Sequence, residues 1–206
     1  MRPRPGDQPA DGDADGACNG RSVLRAVLRR RRARRPRASG IPVSDAEPGI
    51  PDSALGALSR QGYTVGEVMG RSTAVSAPRR GLDAQGRHVV IRVVDLPRGR
   101  GGAAVLRRLA DLRVLRHPGL VTVREVVPLP EHRAGVIMEL VEGAGLDVVL
   151  GARGRLNISH LATLLDVLGS ALAYLHEHGA AHGDVSAGNV LVTTDGRPVL
   201  IDMLGS

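Results

Sequence analysis

Phenylalanine, tryptophan and lysine do not occur in this 206-residue chain. Tyr63 and Tyr174 are its only Phe, Trp or Tyr residues, so any core must be aliphatic. A hydrophobic content of 42% is enough to build one. All 28 basic side chains are Arg. Arg, Ala, Gly and Pro in place of Lys and Phe mark a very G+C-rich coding sequence, and that bias alone accounts for Arg at some positions where Lys would serve. Cys18 is the single cysteine, which excludes a disulfide framework and a thiolate zinc site. No uninterrupted apolar run approaches the ~18 residues that a membrane span needs, so no transmembrane segment is expected. The first residues lack an apolar stretch and do not form a secretory signal. A cytoplasmic location is the expectation.

The formal net charge of +7 is local. Residues 21–37 hold nine Arg and no acid, leaving 28 − 9 = 19 Arg against 21 acids elsewhere, a balance of −2. The high isoelectric point therefore describes a tail, and no specific nucleic-acid partner is expected. Residues 1–20, rich in Pro, Gly and Asp, read as disordered. Ser22–Arg35 sets Val23, Leu24, Val27 and Leu28 beside an Arg block. At most this is a short basic amphipathic helix suited to anionic surfaces, and the plainer reading is a solvated tail. Residues 36–60, with Pro36, Pro42, Pro48 and Pro51, read as a linker, so 1–60 is expected to be a disordered basic tail.

From Tyr63 the pattern becomes that of a folded domain. Tyr63–Met69 alternates like a strand, Ala74–Ser76 begins a return strand, and Gly81–Gly86 reads as a turn. His88–Val94 is a nearly continuous β-branched run, the mark of a buried strand. Ala103–Leu115 is helical, with Leu106, Leu109, Leu112 and Leu115 on one stripe, and His117-Pro118 stops it. Strands are predicted over Leu120–Val127 and Gly135–Leu140, and a helix opens near Val148–Leu150. Ser159–His178 is the clearest helix, its Leu161, Leu164, Leu165, Leu168, Leu172 and Leu175 following the 3.6-residue period, with Gly179 as terminator. A hairpin over Val190–Thr193 and Pro198–Ile201 follows. This order, an antiparallel sheet with one helix and then a helical region, is an α+β plan.

The chemistry concentrates in His182-Gly183-Asp184-Val185-Ser186-Ala187-Gly188-Asn189. The long helix delivers a polar loop with Asp184 and, five residues on, Asn189. Thirteen residues later a hairpin returns the chain to Asp202. Hard oxygen ligands gathered this way suit divalent-metal and phosphate chemistry. His176, His178 and His182 near Asp184 also suggest zinc, but Gly179 ends the helix between them.

From about Tyr63 to Asp202 these residues resemble the eukaryotic-type serine/threonine protein kinase family, in a form most like its actinobacterial members. The family's catalytic loop H-R-D-x-x-x-x-N is matched by His182, Asp184 and Asn189, with Gly183 in place of Arg. Its D-F-G is matched at Asp202, with Met203-Leu204 following and Gly205 one residue late. Val89-Val90-Ile91-Arg92 stands where V-A-I-K is found, Leu112–Pro118 resembles the end of helix C, and Met138–Gly143 resembles the hinge between lobes. The resemblance implies a small lobe over 61–141 and a partial large lobe over 142–206, the family's fold continuing past the last aspartate. It implies that Asp184 orients the substrate hydroxyl, that Asn189 and Asp202 bind Mg²⁺, and that Gly70, Val90, Arg92, Met138, Glu139 and Val141 line an ATP site. Small-molecule phosphotransferases of the aminoglycoside or choline kinase type share the fold, and H-G-D fits their loop better.

Other positions depart from the family. The Lys that holds the phosphates is Arg92 and the helix-C Glu that steadies it is Arg108, two cations that cannot pair. Asp111, one turn on, is the alternative partner for Arg92. Ser186 replaces the Lys after the catalytic Asp. Of G-x-G-x-x-G only Gly70 is kept, with side chains at Ser72 and Val75 where close backbone approach to phosphate requires glycine. These departures point to impaired or absent transfer, a pseudokinase with an unidentified protein substrate or partner chain.

Overall fold

The protein was examined as a computed structural model, which describes residues 49–70 and 76–203. The Arg-rich segment 21–37 and the hairpin tip with Ser72 and Val75 lie outside these residues.

The organising element is strand β3, His88–Asp95. Side chains alternate across a strand, and here both faces are covered. Val89, Ile91 and Val93 are fully buried in one hydrophobic cluster, while Val90 and Val94 pack against a second, larger one. A strand buried on both faces needs a nearly continuous β-branched run, which the sequence carries apart from Arg92. Beside it lie β2 (Arg79–Leu82) and β5 (Arg133–Glu139), then β1 (Thr64–Val68) and β4 (Val123–Leu129) at the edges. The order is β1-β2-β3-β5-β4, antiparallel throughout. The sheet curls until its edges meet. Tyr63, just before β1, hydrogen-bonds through its hydroxyl to Glu125 on β4. Asp83, at the turn after β2, ion-pairs with Arg87 at 2.7 Å and lies 3.6 Å from Arg124.

The expected linker over 36–60 ends in a helix, α1, at Asp52–Arg60. Pro51 occupies the N-cap position, where its missing N–H costs nothing, and Asp52 complements the helix dipole. Ile50, Ala54 and Leu58, spaced by four, are buried against Val89, Ile91, Val93, Val127, Leu129 and Ile137. Pro51, one of the prolines that suggested a linker, marks a helix start. Gly135 of β5 makes the docking possible, because a Cβ there would stand 3.1 Å from Leu58 Cδ2.

Smaller corrections concern boundaries. Gly81 pairs with Val89 inside β2, so the turn begins only at Asp83. Helix α2 runs from Arg100 to Asp111 and tightens into a 3₁₀ turn over Leu112–Val114, with Leu109, Leu112 and Leu115 buried as the leucine stripe predicts. Leu120 and Val121 belong to a connection tied to Leu200, whose N–H reaches Gly119 O at 2.8 Å and whose carbonyl accepts from Val121 N at 2.9 Å.

The second region contains a small sheet of β6 (Gly143–Gly145), β7 (Val190–Thr193) and β8 (Pro198–Leu200), of which β6 was not anticipated. Glycine-rich β6 has no strand signature of its own and is held by pairing with β7. Helix α3 spans Leu146–Arg153 and α4 spans Ile158–Glu177. Asn157 caps α4, accepting from His160 N at 2.8 Å. Gly179, at φ +68°, ends it, with Ala180 N bonding to Leu175 O and Gly179 N to His176 O. Only Ala171 and Leu175 of α4 are buried, whereas Ile158, Leu161 and Leu165 are 80%, 40% and 64% exposed. By length and composition α4 is able to cross a membrane. In this fold Ala171 and Leu175 anchor it in the main core while most of its length is not buried.

Candidate active site

The end of α4 fixes the polar loop that follows. His182 is buried, its Nε2 2.9 Å from Ile201 O and its Nδ1 accepting from Asp184 N at 3.2 Å. An amide donor at Nδ1 requires that nitrogen to be unprotonated, so Nε2 carries the proton and donates to Ile201. His182 therefore fastens the loop to the chain just before Asp202, and it is unavailable to a metal. Among the described residues no group of three His, Cys, Asp or Glu is arranged to hold a metal ion.

Asp184 is exposed at the loop surface. Asn189 closes the loop, its Nδ2 donating to Asp184 O and to Asp184 Oδ2, both at 2.9 Å. Asn189 O also accepts from Ile201 N at 2.8 Å. Asp184, Asn189 and the approach to Asp202 are thus one hydrogen-bonded unit, as their spacing suggested. Asp202 has φ +66°, a left-handed conformation uncommon outside glycine and often found where function holds it in place. Met203 after it is buried in the main core.

Arg92 crosses to this unit. It points to the opposite face of β3 from Ile91, donates through Nε to Ser76 O at 3.0 Å, and ion-pairs through Nη1 with Asp202 Oδ1. Its partner is Asp202, and Asp111 lies exposed at the end of α2. Arg108, at the family's Glu position, is exposed and has no ion pair or side-chain hydrogen bond among the described residues. The Lys–Glu pair of the family is therefore replaced by an Arg–Asp pair across the cleft.

On the hinge, Met138 is buried and Glu139 is doubly fastened to Thr122: its N–H donates to Thr122 O at 3.0 Å and its carboxylate accepts from Thr122 N at 2.9 Å. Val90 pairs with Met138 across β3 and β5, and Val141 is half-buried. Gly70, two residues past β1, has φ +88°. Sequence reasoning missed Ser76 and Thr122. Both act largely through backbone groups, which no residue-type pattern reports.

Away from the cleft, burial pushes the Tyr63 hydroxyl up to about 12, reinforced by its hydrogen bond to Glu125. Asp83 is held below the usual carboxylate range: burial works against ionisation, but hydrogen bonds from the Arg87 and Gln85 backbone and from the Arg87 side chain outweigh it.

A curled five-stranded sheet with one helix, a hinge, and an Asp–Asn loop facing a second Asp is the architecture of a protein kinase. The protein kinase domain model matches residues 63–204, and the chain belongs to that family. It is 36% identical over 141 residues to CBL-interacting protein kinase 4 of Oryza sativa subsp. japonica, covering 66% of this chain and 31% of that protein. It is 32% identical over 124 residues to the serine/threonine-protein kinase PknA of Mycobacterium tuberculosis, covering 57% of this chain and 29% of that one. The chain thus spans under a third of the length of these relatives.

Kinase domains generally use ATP and a divalent metal held by such an Asp and Asn. Mg²⁺ demands oxygen donors in near-octahedral array and commonly takes one or two carboxylates. Here the Asp202 carboxylate, the charged ligand a divalent cation needs, already holds a guanidinium, while Asn189 gives its amide nitrogen to Asp184 and keeps its Oδ1. As arranged, these residues do not fit a divalent cation.

Proposed function

We propose that this chain is a nucleotide-binding pseudokinase: a kinase domain that accepts an adenine nucleotide in the cleft but does not appreciably transfer phosphoryl groups to protein Ser or Thr. The observation that carries this reading is the Arg92–Asp202 ion pair. In an active site of this family the third-strand cation and this Asp act on the nucleotide, the one on its phosphates and the other through the metal. Here each neutralises the other, and with Arg108 at the Glu position and Asp111 exposed at the end of α2, no α2 carboxylate pairs with Arg92 among the described residues. The apolar Val90, Met138 and Val141 beside a fastened hinge supply the features an adenine ring needs. The kinase activity in the relatives' names belongs to those proteins.

The test is a phosphoryl-transfer assay on the full chain with γ-labelled ATP and Mg²⁺, using a generic basic protein acceptor and scoring self-labelling, with Asp184→Asn as control. The expected result is incorporation no greater than in the control, alongside measurable binding of a fluorescent ADP analogue. Transfer that Asp184→Asn abolishes would overturn the reading.

A further inference from the structure

The misfit of a divalent cation has a consequence for what enters the cleft. We propose that the nucleotide binds here without a metal ion, with the Arg92 guanidinium supplying the positive charge that the phosphates require. This rests on the nucleotide-binding reading above. A guanidinium carries five N–H donors in a rigid fork. The contacts to Ser76 O and Asp202 Oδ1 use one on Nε and one on Nη1, leaving three without a partner among the described residues. The Arg92 side chain is 23% exposed, so part of it faces solvent. A planar fork already anchored at two points suits a phosphate, which it meets with paired, charge-assisted bonds.

The alternative costs more. A divalent cation at Asp202 shares the carboxylate with the guanidinium, like charge beside like. The only other carboxylate in the polar loop, Asp184, is tied to Asn189 and exposed. The family's motif is thus kept in outline while its cation has changed from a metal to a side chain.

The measurement is titration of the full chain with a fluorescent ADP analogue, in parallel with excess MgCl₂ and with excess EDTA. For the wild type the two dissociation constants should agree within about twofold. Arg92→Ala should weaken binding in EDTA by about tenfold or more, and Mg²⁺ should then recover part of the loss through the freed Asp202 carboxylate. Asp202→Asn should bind in EDTA at least as tightly as wild type, because Arg92 is released toward the phosphates. Wild-type binding that requires Mg²⁺ and is lost in Asp202→Asn overturns the inference while leaving nucleotide binding intact. Binding in neither buffer overturns the nucleotide reading itself. Thermal unfolding of each variant establishes that it is folded, and if Arg92→Ala does not fold, the Asp202→Asn comparison decides alone.

Discussion

Helix α1 contradicts a linker, and its docking can be measured through Leu58 and Gly135. Leu58 is fully buried, and the space above Gly135 is filled by its Cδ2, 3.1 Å from where a Cβ on residue 135 would stand. Leu58→Ala removes three buried carbons and leaves a cavity, an expected cost of about 2–5 kcal/mol. Gly135→Ala forces a methyl group into contact tighter than packed carbons adopt, costing about 1–3 kcal/mol. The two changes should not add. With Leu58 shortened, the new methyl enters the cavity, so the double variant should be less destabilised than the sum by about 0.5–3 kcal/mol. Chemical denaturation of the full chain and its three variants, followed by circular dichroism, completes the cycle. If α1 were detached in solution, Leu58→Ala would shift stability by no more than about 0.5 kcal/mol and the coupling would vanish. That pair of results would refute the docking.

Ultraviolet titration should show a tyrosine step near 12 that Tyr63→Phe removes. Because the folded value is raised above the ordinary ~10, the stability contributed by the Tyr63–Glu125 bond is complete below that pH and is lost as pH rises through about 12. His182→Ala should cost about 1–3 kcal/mol in denaturation experiments, since it strands the Asp184 N–H and the Ile201 carbonyl. Leu165→Gln, at a 64% exposed position, should change stability by less than about 0.5 kcal/mol in the same denaturation experiments.

What the sequence revealed followed from where its signals are local. The β-branched run of β3, the leucine stripe of α2 and the period of α4 are written in neighbouring residues, and each element lies within a few residues of its expected place. The loop from His182 to Asn189 was legible for the same reason: its hydrogen bonds join residues two to five apart. Helix α1 was hidden because nine residues with two buried side chains carry little periodic signal and stand among prolines. Strand β6 was hidden because three residues, two of them glycine, owe their conformation to β7. The partner of Arg92 was out of reach for a different reason. Asp202 lies 110 residues away, and only the folded chain shows that it, rather than Asp111, faces the guanidinium.

The two faces of β3 also bear on how the chain finds its register while folding. Valines and isoleucines in an unbroken row look alike to a pairing strand, and a slip by one residue exchanges every inward and outward position. Arg92 removes that ambiguity. Shifted by one, its guanidinium would lie in the dry cluster beneath Leu58, without Ser76 or Asp202, at a cost of several kcal/mol for an unpaired buried charge. Arg92, the cation on the Asp202 side of β3, is therefore also the mark by which the central strand tells one side of the sheet from the other.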